Sequence, residues 1–280
     1  MNDLFSFEIN SLTVVIKEGQ SLAIWGETNC KKSMLLENVY NRKNGAKYRG
    51  IVTRYTPEEN ALFKSEIGYF DGNLYGDPEE PISVLISNAA HIFSVEPKQI
   101  LKAFEIAADD LKLKFKEADN WLTSKLGLLN VLSDGHKLVF LDDIFGLDYG
   151  FKRNLVPMLL MLKSKLNINY VVSTTDMEFA GILTDNMLVL CLGEVVEYGK
   201  TQSLISSPMH PYTKWLVDSS KLTVNRDNRF YNTKVDEKPN RKCCKFCSMC
   251  PRAIAECRAI APKVRVTASG SYCACHLQLS

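Results

Sequence analysis

Ser21-Leu22-Ala23-Ile24-Trp25-Gly26-Glu27-Thr28-Asn29-Cys30-Lys31-Lys32-Ser33-Met34-Leu35-Leu36-Glu37 decides the reading of this chain. Residues 21–25 form a short apolar run with the length of a buried strand, and Met34 to Glu37 starts a helix. Between them stand a first glycine, four intervening residues, and Lys-Ser at the end, the Walker A frame. The frame matters because successive backbone N–H groups at a helix N-terminus make an anion nest. Lys32 would reach the β and γ phosphates of a nucleotide, and Ser33 would hold Mg²⁺. Gly26, Asn29, Cys30, Lys31, Lys32, Ser33 and Met34 are therefore the candidate nucleotide-binding residues. One position breaks the frame: Lys31 stands where a glycine is expected before the lysine. Asn29 also replaces a residue that is commonly glycine. A side chain at 31 would crowd the phosphate or force the loop onto another path.

Further along, Lys137-Leu138-Val139-Phe140-Leu141-Asp142-Asp143 reads as a strand ending in two carboxylates, where a Walker B strand belongs. Asp142 would orient the water shell of Mg²⁺. Asp143 stands where a hydrolytic enzyme places glutamate to polarise the attacking water. It keeps the charge but is one methylene short, and general-base geometry is sensitive to reach. The competing reading of Asp-Asp is a solvated strand end.

Composition limits the function classes. With 280 residues, 46% of them apolar and 24% charged, the chain can hold one full-size globular domain and a small second one. Its 34 basic and 32 acidic residues nearly cancel, so no overall field points to nucleic acid as a partner. The N-terminus is acidic where a signal peptide is basic, and its apolar run is broken by Glu8 and Asn10. No uncharged apolar window reaches spanning length, which sets the expected compartment as the cytoplasm. Cysteines are distributed unevenly: of nine, seven lie after residue 242, at Cys243, Cys244, Cys247, Cys250, Cys257, Cys273 and Cys275. A reducing compartment disfavours disulfides there and favours metal ligation.

These motifs resemble an ATP-binding subunit of an ABC importer. The likeness is nearest to the oligopeptide/dipeptide branch, which also contains nickel and Sap-type antimicrobial-peptide systems. Glu18-Gly19-Gln20-Ser21-Leu22 leads into the loop as in that branch, and Gly26-Glu27-Thr28-Asn29-Cys30 is similar to its Gly-Glu-Ser-Gly-Cys. Gly146-Leu147-Asp148 resembles the D-loop. Thr184 to Met187 and Gly193 to Gly199 resemble the last hairpin of the core. Pro208-Met209-His210-Pro211-Tyr212-Thr213-Lys214 matches the branch's Pro-x-His-Pro-Tyr-Thr signature. The resemblance implies an α/β P-loop NTPase of the ABC type over residues 1–218, with a helical subdomain at about 78–130. A linker over 219–241 and a small cysteine-rich metal-binding module over 242–280 would follow. Leu101 to Phe104, Ile106 to Leu111 and Phe115 carry apolar residues at helical spacing within that subdomain.

The same resemblance implies that the chemistry is altered. Asp71 stands where the family has a glutamine, and Thr175, before Asp176, stands where it has the switch histidine; a hydroxyl does not carry the proton as imidazole does. The signature Leu-Ser-Gly-Gly-Gln is best matched by Leu122-Thr123-Ser124-Lys125-Leu126. That segment would cap a nucleotide held by a second subunit through Thr123, Ser124 and Lys125, although the helix after it is about four residues short. Leu132-Ser133-Asp134-Gly135-His136 abuts the Walker B strand too closely to be the signature. Lys31, Asp71, Asp143, Thr175 and 122–126 are thus altered together, while Lys32, Ser33 and Asp142 remain for ATP and Mg²⁺.

The implied protein is a catalytically impaired half of an asymmetric ATPase pair, peripheral on the cytoplasmic face of the membrane. Its partners would be a more intact ABC ATPase, two permease subunits and, indirectly, an extracytoplasmic solute-binding protein. Two alternatives stay open: an ATPase still active through substitute groups, and a metal-bearing structural or regulatory protein that retains the fold. In the tail, the family's cysteine frame falls on Cys244, Cys250-Pro251, Cys257 and Cys275-His276. In some members those thiolates hold a [4Fe–4S] cluster, and a four-sulfur site also suits zinc. Cys243, Cys247 and Cys273 are additional, and His276 reads as a neighbour rather than a ligand.

Overall fold

The structure is a computed structural model describing residues 2–10, 12–41, 45–49, 51, 52, 58, 63, 65–142, 149–221, 243–266 and 271–277. Asp143, the Gly146-Leu147-Asp148 segment and the linker from 222 onward lie outside the described residues. The chain divides into two compact units, one of Met1–Glu8, Leu12–Ser21 and Leu36–Ser173, the other of Ile9–Ser11, Leu22–Leu35 and Thr174–Ser280.

Strands β1 (Asp3–Ile9), β2 (Leu12–Lys17) and β3 (Leu22–Trp25) precede helix α1 (Lys32–Tyr40). Short strands β4 (Lys47–Tyr48), β5 (Ile51–Val52) and β6 (Ile67–Phe70) lead to helices α2 (Ile82–Phe93), α3 (Pro97–Ala103) and α4 (Asn120–Ser133). Then come β7 (Leu138–Leu141), α5 (Tyr149–Leu166), β8 (Asn169–Thr174) and α6 (Met177–Leu183). The hairpin β9 (Asn186–Cys191) and β10 (Glu194–Lys200) is followed by α7 (Thr201–Ser206) and α8 (Pro211–Ser220). Helix α9 (Ala255–Ala259), β11 (Arg265–Val266) and β12 (Tyr272–Cys273) close the described chain.

In the first unit, β6, β7 and β8 pair in parallel, with Phe70 opposite Leu141 and Leu141 opposite Val172. Every residue of β7 and β8 is buried, as expected of parallel strands covered on both faces. The expected strand at 137–143 is thus present, bounded at Leu141. Helix α2 buries Ile82, Leu85, Ile86, Ala89, Ala90 and Phe93, the three-and-four spacing of a core-facing helix. The expected helical spacing over 106–111 is realised differently. Glu105 takes φ of +48°, which ends α3's run, and Ala108–Lys112 continues as a 3₁₀ helix with Ile106 and Phe104 buried beside it. Helix α4 lies so close to the chain after β6 that a Cβ on Gly127 would fall 2.1 Å from the Asn73 carbonyl oxygen.

In the second unit, β3 pairs in parallel with β9, and β9 pairs antiparallel with β10. The β9–β10 turn is Leu192-Gly193, with φ of +50° and +87°. Two left-handed residues match the right-handed twist of a two-residue hairpin, and glycine takes the second position without a Cβ penalty. Strand β10 is irregular between Val195 and Glu197. This bulge turns both Val196 and Glu197 inward. Glu197, fully buried, accepts from the amides of Met209 at 2.8 Å and His210 at 3.0 Å. His210 in turn caps α8, its Nδ1 accepting from the Tyr212 amide at 3.0 Å, with Pro211 in the first turn. The Pro-x-His-Pro-Tyr-Thr segment is therefore a helix start whose consequence is to place Tyr212.

The cysteine-rich tail belongs to this unit's core. Strand β12 pairs with β10, and the bulged Val196 carbonyl accepts from the Ala274 amide at 2.9 Å. Trp25, Val189, Tyr212, Leu216, Cys244, Phe246 and Cys257 form one apolar cluster. All nine cysteines are free thiols.

Burial strips the His210 imidazolium of its hydration, against a weaker opposing pull from the Ala274 carbonyl, and pushes its pKa down to about 4. The folded value lies below the unfolded one. Its stabilising contribution is therefore complete above pH 6.5 and is lost as pH falls from 6.5 toward 4, at ~1.4 kcal/mol per unit. The wild-type chain is expected to lose about 2 kcal/mol more than His210→Asn, which keeps a capping acceptor, between pH 6.5 and pH 5. Urea unfolding at the two pH values reads the difference. Equal losses would refute the assignment.

Candidate nucleotide site

The loop after β3 keeps the path of a phosphate-binding loop. Asn29 and Lys31 both adopt left-handed backbone, with φ of +68° and +72°. Asparagine tolerates this region, whereas for lysine it costs on the order of 1 kcal/mol. Lys31 occupies glycine's conformation, and its aliphatic stem runs beside the hairpin turn: a Cβ on Gly193 would lie 3.0 Å from Lys31 Cδ. Gly26 is required by close approach, since a Cβ there would sit 2.5 Å from the Leu190 carbonyl oxygen and 2.7 Å from Cys30 Sγ. Lys32, buried, donates through Nζ to the Gly26 carbonyl at 3.1 Å and the Glu27 carbonyl at 2.8 Å. The amide of Cys30 donates to the same Glu27 carbonyl at 3.3 Å. Ser33 and Met34 are exposed in the first turn of α1, where helical amides lack intrahelical partners.

Glu27 is gripped from outside the loop. The Tyr212 hydroxyl accepts from the Glu27 amide at 3.3 Å and donates to Glu27 Oε2 at 3.5 Å. Burial raises the Glu27 pKa, and the Tyr212 hydroxyl and Lys32 pull against it. Thr175 is exposed, and its carbonyl accepts from Trp25 Nε1 at 3.2 Å. Asp176 serves the backbone, capping α6 by accepting from the Phe179 amide at 3.0 Å.

In the first unit, Asp142 ends β7 with both oxygens engaged. Ser173 Oγ donates to Oδ1 at 2.6 Å and Tyr69 Oη to Oδ2 at 3.2 Å. Burial, with the Asp142 charge next, raises the Tyr69 pKa, so the phenol stays protonated and donating. Asp142 shares a cleft of about 600 Å³ with Asp71, Glu37, Tyr40, Tyr69 and Tyr75. Asp71 accepts from the Tyr75 hydroxyl at 2.7 Å and the Asn73 amide at 3.0 Å. Burial lifts its carboxyl, but hydrogen bonds, that of Tyr75 foremost and those of Asn73 next, outweigh the lift and leave the pKa below the ordinary value. An ionised, acceptor-only face of this kind suits a cation or its water shell.

The residues expected for the signature, Leu122 to Leu126, lie inside helix α4. Helix α4 starts at Asn120, and its cap is Asp119, whose Oδ1 accepts from the Leu122 amide at 2.7 Å. Thr123 already donates its amide to the Asp119 carbonyl at 2.8 Å, inside the helix. Ser124 donates to the Gly72 carbonyl at 3.0 Å. Lys125 is buried against Trp121 and Phe151 with its ammonium on the Glu105 carbonyl at 2.7 Å. Thr123, Ser124 and Lys125 are thus committed to internal bonds and present no free N–H nest.

Among the described residues, no three Cys, His, Asp or Glu side chains come together in a way that could hold a metal ion. Cys244 is joined to Cys257 by its backbone amide at 3.0 Å, and the Cys247 and Cys243 thiols lie 4.0 Å apart. No iron–sulfur or zinc site is indicated at Cys244, Cys250, Cys257 and Cys275 among the described residues.

A buried strand, a glycine-opened loop with an inward lysine on a helix start, and a carboxylate closing a parallel strand define a P-loop nucleotide-binding protein. Comparison with known proteins narrows this. The model of the oligopeptide/dipeptide transporter C-terminal region matches residues 196–257. The putative oligopeptide transport ATP-binding protein YkfD of Bacillus subtilis is 23% identical over 96% of this chain and 89% of its own. The dipeptide transport ATP-binding protein DppF of Escherichia coli is 23% identical over 92% and 83%. Among solved structures, cbiO1 of Clostridium perfringens, part of the ABC transporter complex cbiONQ, superposes with a TM-score of 0.56 at 16% identity, over 81% of this chain and 97% of its own. At that identity the likeness carries the fold. The chain is homologous to ABC-type ATP-binding subunits of oligopeptide and dipeptide transport.

Sequence reasoning missed Tyr69 and Ser173, which orient Asp142 in the first unit, and Tyr212, which grips Glu27 in the second. Tyr69 and Ser173 share one legible signal, their position at the C-terminal ends of parallel strands, where such folds bind ligands.

Proposed function

We propose that this chain is the nucleotide-binding subunit of an ABC importer for peptides or related solutes, acting as the impaired half of an asymmetric ATPase pair. The observation that carries the nucleotide part is Lys32, held inward on the Gly26 and Glu27 carbonyls in a loop of phosphate-binding shape. The peptide part rests on the relatives, named for oligopeptide and dipeptide transport. Ser33 and Asp142 keep the magnesium roles that the family assigns to them. Impairment is supported by Thr175 and Asp71 in place of histidine and glutamine, and by Asp119 at the start of α4. A carboxylate at that cap repels a triphosphate where an amide nest attracts one. Asp143 adds to this reading as a short substitute for glutamate.

The assembly would place the chain peripherally on the cytoplasmic face of the membrane, beside two permeases and a more intact ATPase, with a solute-binding protein outside. No helix among the described residues is long and apolar enough to cross a membrane itself. No step of this reading runs through a metal bound by the cysteines. The chain, tagged and recovered from detergent-solubilised membranes of its own cells, is expected to bring down two permeases and a second ATP-binding subunit. That second subunit should carry Gly-Lys-Ser, glutamate, histidine and Leu-Ser-Gly-Gly-Gln intact. Recovery without permeases, or with an equally altered ATPase, would contradict the asymmetric pair.

A further inference from the structure

We infer that Tyr212 is a positioning residue for the nucleotide loop, and that the cysteine-rich tail acts on that loop through it. The inference rests on the nucleotide-binding reading above and deepens it into regulation of the same site.

A chain of hydrogen bonds runs from Tyr212 to Lys32. Tyr212 Oη holds the Glu27 amide at 3.3 Å and carboxylate at 3.5 Å. The Glu27 carbonyl then accepts from Lys32 Nζ at 2.8 Å and from the Cys30 amide at 3.3 Å. The second residue of the loop is thereby fixed at its N–H by Tyr212 and at its C=O by the loop's own lysine. Removing the hydroxyl frees the N–H side of Glu27 and loosens the carbonyl on its other side, which receives Lys32.

The Tyr212 ring is set by the tail. Only 1% exposed, it meets Phe246 edge-on at 5.3 Å between centroids and stacks on Trp215 at 5.9 Å. Phe246 sits inside the cysteine turn: the Cys247 amide bonds the Cys244 carbonyl at 3.1 Å, and the Met249 amide bonds the Phe246 carbonyl at 3.0 Å. Lys245, its side chain 7% exposed, pins this turn to Glu194 of the hairpin at 3.1 Å. The turn is thus clamped on one side and presents Phe246 to Tyr212 on the other. Packed aromatic walls do not deform continuously, so a change in the cysteine turn is passed to the ring it supports. The cysteine turn thus meets a side chain that is itself bonded to the loop.

The test uses the full chain with two readouts: hydrogen exchange over residues 26–33, and affinity for MgATP by displacement of trinitrophenyl-ATP. Tyr212→Phe keeps the ring and its packing and removes only the hydroxyl. It is expected to speed exchange at the Glu27 amide ~10-fold and weaken MgATP binding ~10-fold, while exchange in β9 stays unchanged. Phe246→Leu is expected to weaken MgATP binding ~3-fold on its own and to add nothing in the Tyr212→Phe variant, because the two act along one route. Unchanged exchange at Glu27 in Tyr212→Phe overturns the positioning role while leaving nucleotide binding intact. Additive effects of the two substitutions overturn the route through Tyr212. A wild-type chain that binds no MgATP, yet shows the faster exchange in Tyr212→Phe, keeps the positioning role and removes the nucleotide reading instead.

Discussion

Glu197→Ala is expected to destabilise the chain by about 3–5 kcal/mol, because it leaves two buried amides without acceptors. Both carboxylate oxygens of Glu197 are in use, on Met209 and His210, at the entry to α8. Burial raises the Glu197 pKa, and the bonds it accepts pull the other way. The loss should appear as a lower urea midpoint with an unchanged slope. Glu197→Gln keeps one carbonyl acceptor and is expected to lose only about a third to a half as much. Because α8 carries Tyr212, Glu197→Ala should also loosen the nucleotide loop. A surface-like loss below ~0.5 kcal/mol would mean that the β10 bulge does not anchor this helix.

Gly26→Ala should have the largest effect on nucleotide binding. Its added methyl would meet the Leu190 carbonyl oxygen at 2.5 Å, a backbone atom of β9 that cannot swing aside, and Cys30 Sγ at 2.7 Å. Either β3 and β9 part, or the loop leaves its path and the two carbonyls holding Lys32 move with it. The expected result is a stability loss of about 2–3 kcal/mol and at least ~100-fold weaker MgATP affinity. Gly19→Ala is the control for conformational strain alone, since Gly19 is left-handed at φ of +79° but has nothing within 4 Å of its missing Cβ. It should cost about 1 kcal/mol and leave nucleotide affinity unchanged. Equal effects of the two substitutions on affinity would remove close packing as the reason for Gly26.

The strands carrying Gly26 and Asp142 were legible because parallel strands buried on both faces must be short apolar runs, and LAIW and LVFL are such runs. The hairpin was legible through the resemblance of Thr184 to Met187 and Gly193 to Gly199 to the family's last hairpin. The start of α4 was not. Asp119 makes a good cap on its own chemistry, but a search for Leu-Ser-Gly-Gly-Gln favoured Leu122 to Leu126 and passed over it. Burial of Lys125 was equally hidden, because its partners, the Glu105 carbonyl and the Trp121 and Phe151 rings, are assembled only by tertiary packing. The tail's cysteine spacing suggested a metal. What the fold makes visible there is Phe246, an ordinary aromatic between two cysteines, packed on the tyrosine of the His-Pro-Tyr segment. Lys31 shows the opposite lesson: its identity departs from the loop pattern while its backbone keeps the glycine conformation.

The central claim is a loop that wraps MgATP next to groups too altered to split it. Equilibrium binding and turnover measured on the same preparation of the purified chain, beside Lys32→Ala, test it directly. The account predicts measurable MgATP affinity, weakened ~100-fold in Lys32→Ala, with turnover well under the ~1 s⁻¹ that marks the low end for ordinary enzymes. Turnover of ~1–10 s⁻¹ that disappears in Lys32→Ala would contradict it, and so would binding that Lys32→Ala leaves untouched.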